Sequence, residues 1–190
     1  NVFSSLLENR VLKREISKEF LKLSPKLSLR LCAYIYNLCK EDELIDFSKR
    51  ILKTLRVDNK TRNAVIKVFE NFDTKICDDL ILCKKQISRL GKECFCDLVC
   101  LKRALFWEDE TILKILEKAM ENYKYIQENN LCVNVLQMEL SGDDLVLNGI
   151  CSGKAVGETL DKLLELIIED KIKNKKEDLL KVAIKLNQKG

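Results

Sequence analysis

The chain has 190 residues, 46% of them hydrophobic and 34% charged, with only 6 Gly and 1 Pro. A chain of this length hides roughly 70% of its unfolded surface on folding, and this composition excludes collagen-like, linker-like and disordered classes in favour of a helix-rich globule. Its 34 Lys and Arg against 30 Asp and Glu leave +4, too mild alone to imply a nucleic-acid partner, and nine Cys with no His leave a nucleophilic thiol without an imidazole base.

Apolar residues recur at a period of 3.6 nearly throughout. Val2, Phe3, Leu6, Leu7, Val11 and Leu12 form one stripe, and Leu27, Leu31, Ile35 and Leu38 a second after the Ser24-Pro25 punctuation. A third runs through Leu44, Phe47, Ile51, Leu52 and Leu55 to end around Val57. Asp58 or Asn59 then caps a fourth, through Ala64, Val65, Val68 and Phe69. Ile76, Leu80, Ile81 and Ile87 lead to Gly91, placed where a helix C-cap is wanted. Phe95, Leu98, Val99 and Leu101 continue to Leu105, and a longer helix after Glu108-Asp109-Glu110 runs through Ile112, Leu116, Met120, Tyr123 and Ile126. Short connections between amphipathic helices predict a helical stack.

After Asn129-Asn130 the texture changes, since four of the six glycines (142, 149, 153 and 157) fall within sixteen residues. Short helical turns are expected there, then helices over about 154–170 and 175–186. The alternation over 132–138 admits a brief strand but is too short to assign one. The expectation is an all-α chain with a multi-helical body over 1–128 and a smaller helical tail over 129–190.

Odd count and irregular spacing read the cysteines as reduced thiols of a cytoplasmic protein. Cys94 and Cys96 diverge by roughly 200° on a helix whereas Cys96 and Cys100 share a face, which is two ligands and not a zinc tetrahedron. These thiols, with Cys32, Cys39, Cys77 and Cys83, are read as small buried hydrophobes. The acidic clusters 41–43, 108–110 and 143–144 stand where helices begin, so capping explains them better than metal or acid–base work. No catalytic or metal-binding residue is assigned. No span approaches 18 apolar residues, so none is a membrane-crossing candidate.

Charge is unevenly spread. Residues 171–190 carry +5, residues 49–67 carry +6 with Asp58 as the one carboxylate, and 131–170 is acidic. In the segment 149–157, Gly153 and Gly157 stand four apart at a helix start, with Ser152 as the expected N-cap and Lys154 in the first turn. Free backbone N–H groups and a cation there suit a phosphate; the competing reading is a tight turn or close helix packing. Lys171, Lys173, Lys175 and Lys176 follow in the loop between the last two helices. Helix length separates them from the glycine turn, so together they suit an extended polyanion rather than one phosphate.

The stretch from Met138 to Leu180 resembles the C-terminal signature of class II, bacterial-type tRNA nucleotidyltransferases, the CCA-adding enzymes. Ser141-Gly142-Asp143-Asp144-Leu145 resembles that family's (N/S)GxDL with an extra Asp, followed by Gly149, Gly153 and Gly157, the Leu-rich helix 160–168, and Asn174 to Leu179. Upstream, 25–40, 52–69 and 87–104 resemble the family's body, with Tyr36-Asn37 where some members carry His-Asp. The resemblance implies a tRNA-binding body and tail that grip the acceptor stem and elbow, with Ser152, Gly153, Lys154, Gly157, Lys171, Lys173, Lys175 and Lys176 as the candidate RNA-binding set. The family's Gly-Ser triplet, DxD pair and nucleotide-selecting neck are not found in these residues. The resemblance therefore implies a fragment whose catalytic head and neck precede Asn1, with Mg, CTP and ATP belonging to that head and no cofactor in this chain. The competing reading is a non-enzymatic all-helical protein-interaction module.

Overall fold

A computed structural model describes residues 23–188. The first predicted stripe, 2–12, lies outside them. The described residues form an all-α fold: α1 (Leu27–Leu38), α2 (Leu44–Thr54), α3 (Asn59–Glu70), α4 (Leu80–Leu90), α5 (Lys92–Leu105), α6 (Glu110–Glu128), α7 (Gly142–Leu147), α8 (Lys154–Ile168) and α9 (Lys176–Asn187). The doubtful strand is a 3-10 turn, Val135–Gln137. Gln137 Oε1 holds it by accepting from Val133 N (3.1 Å) and Asn134 Nδ2 (2.8 Å), bonds local to the segment that need no partner strand.

Helix boundaries follow local chemistry. Asp58 Oδ1 caps α3 by accepting from Thr61 N at 2.9 Å, Asp79 does the same for Leu82 N at the start of α4, and Asp109 accepts from Thr111 N and Ile112 N ahead of α6. Three helices end at non-glycine residues in the left-handed region, Arg56 (φ 53), Asn130 (φ 49) and Asp170 (φ 57). Each is followed by a six-to-one bond, Val57 N to Leu52 O, Leu131 N to Ile126 O and Lys171 N to Leu166 O, which satisfies a terminal carbonyl. Gly91 (φ 83) separates α4 from α5, in the position read as a cap.

The chain divides into two compact units that interleave in sequence. One holds the described residues to Asp78 with Leu90–Glu121, the other Asp79–Arg89 with the described residues from Asn122 on. In the first, α1, α2, α3 and α5 pack around Ile35, Phe47, Ile51, Val65 and Phe95, all at most 1% exposed. In the second, α7, α8 and α9 surround Leu140, Leu145, Leu163 and Leu179, each 0% exposed, with Ile81 of α4 against them. No described helix is long and apolar enough to cross a membrane.

Candidate nucleic-acid interface

The glycine turn opens α8 from the second unit. Its N-cap is Gly153, with φ 59 and ψ −132, and not Ser152 as the sequence suggested. The turn needs a positive φ at the residue that enters the helix, which glycine adopts freely and serine does not, so Ser152 falls one position outside and donates no cap. Ser152, Gly153, Lys154 and Gly157 are all exposed. A Cβ at Gly153 or Gly157 would meet nothing within 4 Å, so close packing explains neither. Close approach belongs instead to Gly142, where a Cβ would stand 2.9 Å from Val156 Cγ1.

The lysine run divides into free and committed charges. Lys171 Nζ lies 2.6 Å from Glu169 Oε2, and Lys176, the first residue of α9, lies 2.6 Å from Asp144 Oδ1. Lys154, Lys173 and Lys175 are exposed and make no ion pair among the described residues. The fifteen residues of α8 place about 22 Å between its two ends. The turn and the loop are thus separate footholds.

Lys176 is committed by a hydrogen-bonded clasp. Ser141 and Asp144 form a capping box on α7, Ser141 Oγ accepting from Asp144 N and Asp144 Oδ2 accepting from Ser141 N. Lys176 then bonds the other carboxylate oxygen. Asn174 closes the same seam, donating to Gln137 O at 2.9 Å and accepting from Glu139 N at 3.0 Å. Residues 42–183 match the sequence model of the family described as tRNA nucleotidyltransferase domain 2. The chain belongs to that family. No curated protein and no solved structure matches it.

In this tRNA nucleotidyltransferase domain, the two ends of the signature read from the sequence meet through that clasp. Leu145 and Leu179 bury their side chains in one core while Asp144, Asn174 and Lys176 tie the seam above it. Sequence reading places Asp143-Asp144 at a helix start and Asn174 in the resembled signature, but gives Asn174 no partner. Its Asn identity, with a donor and an acceptor on one short side chain, was the available signal.

Lys176, then Ser141, hold the Asp144 carboxyl down at about 2 from its ordinary 3.8; Lys171, then Lys85, hold Glu169 at about 2 from 4.5. Both are depressed on folding, so their contribution to stability is full above about pH 4.5 and is lost as pH falls through about 2. Acid titration at fixed urea, followed by helical circular dichroism, is expected to show a fall across that window that Lys176→Met shrinks.

All nine cysteines are unpaired thiols; Cys32, Cys39, Cys83 and Cys94 are buried as predicted, whereas Cys77, Cys96 and Cys100 keep partial exposure. The Cys96 thiol beside Cys100 lowers the pKa of the latter, and the chain has no histidine to serve as base. At the His-Asp position of the resembled family, Tyr36 donates to Glu41 at 2.5 Å and buried Asn37 donates to Ala33 O at 2.8 Å. No three His, Cys, Asp or Glu side chains converge to hold a metal among the described residues.

Proposed function

We propose that this chain is the tRNA-gripping body (1–128) and tail (129–190) of a cytoplasmic CCA-adding tRNA nucleotidyltransferase, with nucleotide transfer performed by a head and neck outside it. Family membership over residues 42–183 carries the reading. A-form RNA offers backbone and shape more readily than base edges, and the exposed turn Ser152-Gly153-Lys154 with Gly157 offers unpacked backbone beside a free ammonium. Lys173 and Lys175 supply further unpaired charge, while Lys171 and Lys176 are partly neutralised by their carboxylate partners. The chain holds the RNA and leaves the 3′ end to the head.

The test is binding of fluorescein-labelled tRNA by anisotropy across a salt series. Four phosphates neutralised by this set alone give a logarithmic salt slope of about −3.6 or steeper, so affinity falls roughly 150-fold or more between 50 and 200 mM salt. Absence of binding at low salt, or binding indifferent to salt, refutes the reading. One observation favours a protein-interaction module instead: Leu136 and Leu147 are 97% and 84% exposed. That reading predicts salt-insensitive capture of a protein partner and no affinity for tRNA.

A further inference from the structure

Residues 49–67 carry +6 against +5 for residues 171–190, yet none of them belongs to the candidate set above. Lys49, Arg50 and Lys53 lie within a 100° arc of α2, opposite the buried Leu44, Phe47, Ile51 and Leu52. Arg56 is in the turn, fixed by the Val57 N to Leu52 O bond, and Lys60 stands in the first turn of α3. All five are exposed, and none makes an ion pair among the described residues. Arg62 keeps its charge but is tied to the neutral Asn59 Oδ1 at 2.6 Å.

The nearby acids offset little of this. Asp58 points its carboxylate into the α3 cap at Thr61 N. Asp46, one turn before Lys49 and Arg50, is the other acid on the exposed side of α2 and can balance one cation. In the second unit, by contrast, Lys171 and Lys176 each sit 2.6 Å from a carboxylate. Uncompensated charge is therefore concentrated on α2, the turn and the start of α3.

We propose that this ridge, Lys49, Arg50, Lys53, Arg56 and Lys60, is a second contact surface of the chain for the phosphate backbone of folded RNA. The inference rests on the tRNA-binding reading and names a part of that interface which the glycine turn and the C-terminal lysines do not include. Cations spread along two rigid helices and their joint match a chain of phosphates better than a single anion, because each pairs with a different phosphate and releases its own counterion. A lipid surface fits less well, since Leu55, 41% exposed in the turn beside Arg56, is the one large apolar side chain exposed along the ridge, too few to form an inserting apolar face.

The full chain carrying Lys49→Gln, Lys53→Gln and Lys60→Gln is compared with wild type and with the triple Lys→Arg variant in the tRNA salt series. These side chains are exposed, and circular dichroism checks that the variants fold. The Gln variant is expected to lose about three units of logarithmic salt slope, and single Lys53→Gln or Lys60→Gln about one each, while the Arg variant keeps the wild-type slope. If wild type binds tRNA and the Gln variants retain its slope, the ridge inference is overturned and the binding reading stands. If wild type shows no salt-dependent affinity for tRNA, both fall. Tighter binding to phosphatidylserine vesicles than to tRNA, abolished by the same substitutions, overturns the assignment to RNA.

Discussion

Leu163→Ala is expected to lower the unfolding free energy of the second unit by roughly 2–5 kcal/mol. On α8 the residues Leu160, Leu163, Leu164, Ile167 and Ile168 recur at three- and four-residue spacing and are all buried. Leu163 is 0% exposed at the centre of that stripe, in a cluster with Leu140, Leu145 and Leu179. Truncation removes the transfer free energy of the lost methyl groups and opens a cavity that packed helices fill only in part. Leu163→Met keeps most of the volume and is expected to cost less than about 1.5 kcal/mol. Leu147, 84% exposed on α7, is the control, its change to Ala staying within about 0.5 kcal/mol. Urea unfolding followed by circular dichroism measures all three, and equal midpoints for Leu163→Ala and wild type would contradict the packing described.

Helix spans were legible because each is written in a local pattern. The apolar period located α2 through α6 within a few residues, and Asp58 was readable as a cap because a carboxylate three residues before an N–H needs no distant partner. Features that depend on distant residues were not legible. Lys176 belongs by position to a basic run, but its ammonium is held by Asp144, 32 residues earlier. Periodicity gives α4 a buried stripe but not the partners of that stripe, and Asp79–Arg89 belongs to the same unit as residues beyond Asn122. Residue type favours Ser152 as the cap, whereas the φ of 59 at Gly153 requires the glycine there. Of the candidate site, the exposed turn could be read from glycine spacing; which lysines remain free to meet a phosphate required the fold.

The pair Lys84 and Asp170 supplies the second large effect, and its two ends are not equivalent. Lys84 Nζ lies 2.8 Å from Asp170 Oδ1, with the lysine side chain 3% exposed and the aspartate 67% exposed. Asp170→Asn keeps a residue that tolerates the φ of 57 at this position and removes only the charge, leaving a buried ammonium without its carboxylate. The expected cost is about 1.5–3 kcal/mol, the range for a hydrogen bond to a charged group. It stays below the 3–5 kcal/mol typical of a fully buried broken pair, because water reaches the Asp170 end. Lys84→Met reverses the situation: the buried methylenes are replaced by a side chain of similar length, and Asp170 is left solvated. That variant is expected to be near neutral, and combining it with Asp170→Asn should abolish most of the cost of the latter, since no ammonium remains to be stranded. Urea midpoints of the two single variants and the double variant measure the coupling. Additive effects would mean that Asp170 acts through its turn and not through Lys84.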